Sequence, residues 1–238
     1  MIQFERQEKI IAILERKKSA SVRELSRELF VSEASIRRDI EALENKGLVK
    51  RVYGGVLLSR YQNSSIPIDL RDGDHSALKE EIARRAAELV HDGDTIFLDA
   101  SSTVRRMMKY LGHRKNLKII THNIKIFAEY GGSNCELLCT GGTYSTVEQT
   151  LVGPAAENYL RSVSADILFF SSQAITEEGE ITDSSEEETA LRRIMISRSS
   201  RQYFLCDDSK IGGRRIFSVC HKDDITGVIC NTALPWEK

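Results

Sequence analysis

Five short clusters place hydroxyls, glycines and single charged groups where they could hold a small anion. They are Asp99-Ala100-Ser101-Ser102-Thr103, Thr121-His122-Asn123, Thr140-Gly141-Gly142-Thr143, Ser171-Ser172-Gln173 and Asp207-Asp208-Ser209-Lys210. Hydroxyls and backbone N–H groups at the start of a helix bind oxyanions, and a lysine adds a full charge. Asp99 and Lys210 are the titratable residues expected in such a site, although structural ion pairs give the same pattern. A second chemistry is offered by Ser32, Ser35, Arg37 and Arg38. A guanidinium can meet a guanine edge or a phosphate with two parallel hydrogen bonds.

The elements that must position these groups follow from the apolar periods. Ile10, Ile11, Ile13 and Leu14 predict an amphipathic helix over 3–17. Ser21-Val22-Arg23-Glu24 is a capping-box pattern that opens a second short helix, with Leu25 and Leu29 facing inward. Phe30-Val31 makes an apolar corner, Ser32 caps a third helix to about Lys46, and Gly47 stops it. Two helices about so tight a corner form a helix-turn-helix. The following "LVKRVYGGVLLS" reads as a β-hairpin wing turning at Gly54-Gly55.

Beyond Asn63-Ser64-Ser65 and Pro67, helices alternate with short apolar strands. Helices are expected near 75–90, 103–112, 124–130, 153–162 and 185–198. The strands are DGDTIFLDA, LKIITH, CELLCTGG, ADILFFSS, RQYFLCDDSK and ITGVIC. Continuously apolar strands between helices predict a parallel sheet covered on both faces. Each of the five polar clusters then falls at a strand end, where open parallel sheets bind ligands. The fold class is α/β: a winged helix-turn-helix domain at 1–60, a linker at 61–74, and a parallel-sheet α/β domain at 75–238.

Composition limits the function classes. The 238 residues are 41% hydrophobic and 29% charged with a net charge of −1, as a chain with a proper core should be. No apolar run approaches the ~20 residues of a membrane helix, and MIQFERQEKI has charges where a signal peptide needs an apolar stretch. Residues 1–60 carry 13 Lys and Arg against 9 Asp and Glu, and the remainder 21 against 26. A basic head on an acidic body suits a polyanion-binding module joined to something else. Five cysteines without a C-x-x-C pair predict free thiols and a reducing cytoplasm, with Cys139, Cys206 and Cys230 buried in strands. The five histidines lack metal-ligand spacing, and no metal or cofactor is expected; His122 alone falls beside the expected crevice. Glu186, Glu187 and Glu188 open a helix and are read as favourable dipole partners.

The arginine doublet divides on the helical wheel. Ile36, Ile40 and Leu43 form the core stripe; Arg38 lies opposite it near Ala34 and Ala42, while Arg37 has Glu33 and Glu41 at four residues' distance. A solvated helix face is the plain alternative. The capped entry, the hairpin with Lys50, Arg51 and Tyr53, and the surplus of 11 basic over 6 acidic residues in 16–60 favour DNA instead. Arg38 is expected to read and Arg37 to flank. The residues expected at DNA are Ser21, Ser32, Ser35, Arg37, Arg38, Arg51 and Tyr53.

The run from Arg6 through "IIAIL" and "VRELSRELFVSEASIRRDIEALENKGLVKRVYGG" closely resembles the N-terminal domain of DeoR-family bacterial transcriptional regulators. That family typically has Thr where Ser35 stands and His where Tyr53 stands. The resemblance extends over the body. It implies a sensor domain similar to the ribose-phosphate isomerase and glucosamine-phosphate deaminase type of fold, which usually binds a phosphorylated sugar. The family's Asp-x-Gly-[Ser/Thr]-Thr loop maps onto Asp99 to Thr103 with Ser101 replacing the glycine. Its glycine pair maps onto Gly141 and Gly142, and its Asp-x-Ser-Lys motif onto Asp207, Ser209 and Lys210. His122 stands where Asn is usual, so Asn123 is a displaced counterpart, and a glycine is common where Ser171 or Ser172 stands. The effector residues implied are Asp99, Ser101, Ser102, Thr103, Asn123, Gly141, Gly142, Ser172 and Lys210.

The expected function is a repressor of a sugar-catabolic operon. Its partners are double-stranded operator DNA, a small phosphorylated sugar and further copies of itself as a dimer or tetramer, with no membrane partner. The alternatives are a sugar-phosphate isomerase or deaminase with a helical appendix, and a head that binds protein instead of DNA.

Overall fold

The helical spacing of Ile10, Ile13 and Leu14 is realised in α1 (Gln3–Lys17), which buries all three. The computed structural model describes residues 2–17, 19–46, 48–52, 55–58, 75–132, 134–146 and 148–237. The chain divides into two compact units, Met1–Asp74 and His75–Lys238. Gly47, Tyr53, Gly54 and the expected linker at 61–74 lie outside the described residues.

In the first unit β1 (Ser19–Ala20) precedes α2 (Val22–Leu29) and α3 (Glu33–Asn45). Both halves of the capping box form: Glu24 N–H donates to Ser21 Oγ at 3.1 Å and Ser21 N–H to Glu24 Oε2 at 2.7 Å. Such a cap contributes about 1 kcal/mol. Ile36, Ile40 and Leu43 close the core against α1 and Leu25. The wing is β2 (Val49–Val52) paired antiparallel with β3 (Gly55–Leu58), and β1 adds a third strand beside β3.

The apolar corner is only half apolar inside. Val31 packs against the core, while Phe30 is 92% exposed. Phe30 ends α2 in the left-handed conformation (φ 55°, ψ 42°), which turns its side chain away from the core that Val31 enters. Ser26 O accepts from the N–H groups of both Phe30 and Val31, and Ser26 Oγ donates to Val31 O at 2.6 Å. The Val31 bond is the six-to-one bond of a Schellman turn and the Phe30 bond the five-to-one bond of the simpler left-handed cap; in both, the left-handed position usually carries glycine.

The second unit is built on six parallel strands. They are β4 (Thr95–Leu98), β5 (Lys118–Thr121), β6 (Glu136–Cys139), β9 (Ala165–Phe170), β12 (Ser199–Cys206) and β14 (Gly227–Cys230), in the spatial order β14-β12-β9-β4-β5-β6. The chain runs from β4 to one edge and then returns on the other side of β4. The order therefore reverses between β4 and β9, the point at which doubly wound sheets open a ligand crevice. Alternate residues feed two cores. Ile96, Leu98, Ile119, Ile167 and Phe169 face α4 (Ser76–Ala87), α5 (Ser102–Arg105), α6 (Met108–Leu111) and α7 (Ile124–Tyr130). Phe97, Ile120, Leu168, Phe170 and Phe204 face α8 (Pro154–Ser162) and α9 (Glu186–Ser197).

Three expectations change. The single helix at 103–112 is two one-turn helices, because at the break the backbone turns to tighter three-residue bonds, Met107 N–H to Val104 O at 2.9 Å and Tyr110 N–H to Met107 O at 2.9 Å. Two small antiparallel sheets join the parallel one: β7 (Thr143–Ser145) with β8 (Thr150–Val152), and β11 (Glu180–Asp183) between β10 (Ala174–Ile175) and β13 (Phe217–His221). Their strands are too short for a readable period. Cys206 and Cys230 are buried, opposite each other across β12 and β14, but Cys139 is exposed because β6 is the edge strand.

Candidate functional site

In the head, α3 presents the predicted residues on its outer side. Ser32 caps the helix, with Ser35 N–H donating to Ser32 Oγ at 3.3 Å and the two hydroxyl oxygens 3.0 Å apart. Arg37 pairs with Glu33 at 3.4 Å. Arg38 is exposed and donates from Nε to Ala34 O at 3.4 Å; among the described residues no carboxylate pairs with it. Arg51 is pinned back, its Nε 3.0 Å from Glu44 Oε2 and its N–H donating to Glu44 Oε1 at 2.9 Å. Ser21 serves the cap of α2. Tyr53 falls outside the described residues. One buried group of α3 escaped the wheel: Asp39, fully enclosed, pairs with Arg6 of α1, whose Nη2 donates to Asp39 Oδ1 at 3.1 Å. That bond, read as charge to charge across two helices, raises the Arg6 guanidinium above its ordinary value.

In the second unit the polar clusters do converge on the C-terminal ends of the strands. Asp99, at the end of β4, is fully buried. Its Oδ1 accepts from Ser101 N–H at 2.9 Å, and its Oδ2 from Ser171 N–H at the end of β9 at 3.0 Å. The carboxylate thus bridges the two strands at which the order reverses. Lys210 Nζ donates to Ser171 Oγ at 2.6 Å, which places the Asp-x-Ser-Lys motif beside the same junction. Ser172 Oγ bonds Thr182 O at 2.7 Å and Asp183 Oδ2 at 2.8 Å.

The remaining predicted residues take supporting positions. Ser101 Oγ accepts from Val104 N–H at 3.2 Å and caps α5. That helix is a single turn, so its dipole is far smaller than a long helix would provide. Ser102 is buried, as is Thr103, whose Oγ1 has no hydrogen-bond partner among the described residues. Asn123 caps α7 through Lys125 N–H at 2.9 Å and donates from Nδ2 to Ala100 O at 3.3 Å, joining the ends of β4 and β5. Gly141 and Gly142 have positive φ, 66° and 122°; a Cβ on Gly142 would lie 2.6 Å from Val152 O.

Sequence reasoning missed the centre of this network. Arg192 of α9 is buried and meets three carboxylates: Asp99 at 3.0 Å, Asp183 at 3.0 Å and Glu188 at 3.2 Å. Burial works against its charge, but the fields of Asp183, Asp99 and Glu188 outweigh it and hold the guanidinium well above its ordinary value. Glu186 and Glu187 are exposed in the first turn as expected, whereas Glu188 is buried. Its Oε2 lies 3.1 Å from His122 Nε2, and its Oε1 accepts from Thr150 Oγ1 at 2.8 Å. Burial pushes Glu188 up, but His122, Arg192 and Thr150 together bring it well below the usual carboxylate range. A carboxylate only accepts, so His122 Nε2 must donate, and Nδ1 is left buried without a partner among the described residues. The one signal in the sequence was the spacing of Glu188 and Arg192, four apart on a helix.

The groups gathered here can hold a polar ligand. Buried hydroxyls, a lysine and two unsatisfied atoms line strand ends, and the two titratable residues foreseen there are held by other groups. Asp99 is committed to an arginine and two backbone N–H groups. Asp207, lowered by Lys210 and Ser209 against the opposing effect of burial, stays ionised beside that lysine. Among the described residues no cluster of His, Cys, Asp and Glu could hold a metal ion, and no helix is long and apolar enough to cross a membrane.

Comparison with known proteins agrees with this division. Residues 6–62 match the model of the DeoR-like helix-turn-helix domain and residues 74–232 that of the DeoR C terminal sensor domain. The HTH-type transcriptional regulator GolR of Listeria innocua is 34% identical over 98% of this chain and 92% of its own length. The lactose phosphotransferase system repressor of Staphylococcus aureus is 30% identical over 96% of this chain and 92% of its own. Among solved structures, ribose 5-phosphate isomerase A of Methanocaldococcus jannaschii aligns with a TM-score of 0.44 at 19% identity, over 58% of this chain and 55% of that one.

Proposed function

This chain belongs to the DeoR family of transcriptional regulators, and from that premise we propose that it represses a sugar-catabolic operon under the control of a phosphorylated sugar. The head binds double-stranded operator DNA through α3, with Ser32, Ser35 and Arg38 at the major groove and Arg37 at its edge. The effector lies at the strand ends among Ser102, Thr103, Gly141, Ser172 and Lys210. Asp99, Ser101 and Asn123 act by positioning these neighbours. A repeated operator requires two heads, so the protein works as a homodimer or a higher assembly, in the cytoplasm.

One observation carries the regulator reading over the enzyme reading. The strand ends offer hydroxyls and a lysine, but the candidate base, Asp99, is fully buried and already holds Arg192 and two backbone N–H groups. A carboxylate so engaged suits binding without turnover. Binding then shifts the protein between two states by its different affinity for each.

The test is operator binding by the full chain, using duplexes selected from a randomised pool, across a salt series and a panel of pentose and hexose phosphates. Affinity should fall steeply with salt, as neutralised phosphates require. One sugar phosphate should shift it and raise the melting temperature without being consumed. Consumption of that compound, or DNA binding indifferent to salt, overturns the proposal.

A further inference from the structure

Phe30 is the most exposed large apolar side chain among the described residues, and it stands at the corner that leads into α3. Its left-handed backbone is held by its own N–H donating to Ser26 O and by two further bonds between Val31 and Ser26. Glycine or asparagine would take that conformation at less cost, and any polar residue would suit the water around it. The corner's packing need is met by Val31. Among the described residues of the head nothing uses the ring, and both its conformation and its exposure are costs without a return in their packing.

The position of the corner supplies one. Phe30 is two residues before Ser32, so its Cα lies within about 7.6 Å of the cap of α3. The cap and the turn that follows, with exposed Ser32 and Ala34, are the part of such a motif that enters the major groove. The only apolar group displayed on a base edge there is the 5-methyl of thymine. We propose that Phe30 is a specificity-determining residue of the DNA-reading surface, its ring laid against a thymine methyl beside the bases that α3 reads. The inference rests on the DNA-binding reading of the head.

The experiment uses the full chain and a duplex selected from a randomised pool. Phe30→Asn, which tolerates the left-handed conformation, should keep or raise the melting temperature while weakening the selected duplex about tenfold. Replacing thymines one at a time by 2′-deoxyuridine removes single methyl groups. At one position this should weaken the unsubstituted protein about fourfold, the equivalent of roughly 0.8 kcal/mol for one buried carbon group, and leave the Phe30→Asn protein unchanged. Phe30→Leu should restore part of the affinity. Equal binding by Phe30→Asn, or uridine costs that are the same in both proteins, overturns the proposal. So does a loss of affinity that tracks a loss of dimer mass in light scattering, since the ring would then cover a second copy. Failure of the DNA reading itself has a different signature: no sequence is enriched, and Arg38→Ala changes nothing.

Discussion

Arg192 Nε lies 3.0 Å from Asp99 Oδ2, across the junction at which the strand order reverses. The two residues are 93 positions apart, and both are buried. The same guanidinium holds Asp183 and Glu188, so one cation fastens the end of β4, the end of β11 and the first turn of α9. Through Ser171 and Ser172, that fastening sets the floor of the proposed effector crevice.

Arg192→Met should therefore destabilise the sensor unit by about 3–5 kcal/mol, the cost of leaving buried charges without their partner. Urea unfolding of the full chain measures this. An unchanged midpoint would show that water already screens the three carboxylates.

Acid should act through Glu188. Its folded-state value is depressed, so the stability it contributes is present above the unfolded value of about 4.3 and is lost as pH falls through the folded one. Unfolding free energy should decline from roughly pH 5 downward, and Glu188→Gln should flatten that decline while lowering stability at neutral pH. Parallel pH profiles for the two proteins would assign the acid limb to other carboxylates, such as Asp207, whose shift has the same sign.

The two adjacent arginines of α3 should differ in effect. Arg38→Ala removes a guanidinium with no carboxylate partner among the described residues, and should cost about 1–3 kcal/mol of discrimination between operator and unrelated duplex. Arg37 is already paired with Glu33, and its replacement should weaken all sequences modestly and alike. Competition binding at fixed salt separates them; equal losses contradict the assignment.

Gly142→Ala tests the crevice without touching a charge. The new methyl would sit 2.6 Å from Val152 O in a backbone conformation that alanine rarely takes. A cost of about 1–3 kcal/mol and a displaced glycine turn are expected. Operator affinity should persist while the thermal shift given by the responsive sugar phosphate shrinks.

Much of this architecture was legible because it follows local periods. Ser21 and Glu24 are three apart and cap each other; the Ile36, Ile40 and Leu43 stripe fixed the outer side of α3. Features set by partners distant in sequence were not legible. Nothing near Asp39 announces Arg6, nothing near Arg51 announces Glu44 as its keeper, and Cys139 reads as an interior strand residue although it lies on an edge.

The sequence by itself determined the types of the longer elements, the basic head, the acidic body and the set of polar strand ends, since propensity, capping and hydrophobic period act over a few residues. Only the tertiary structure decided which of those groups keep their hydrogen-bonding capacity. It committed Asp99 to Arg192, left His122 Nδ1 and Thr103 Oγ1 unsatisfied, and turned Phe30 outward. The physical reason is that a lone pair or an N–H can be used once, and its user is chosen by which strands and helices become neighbours.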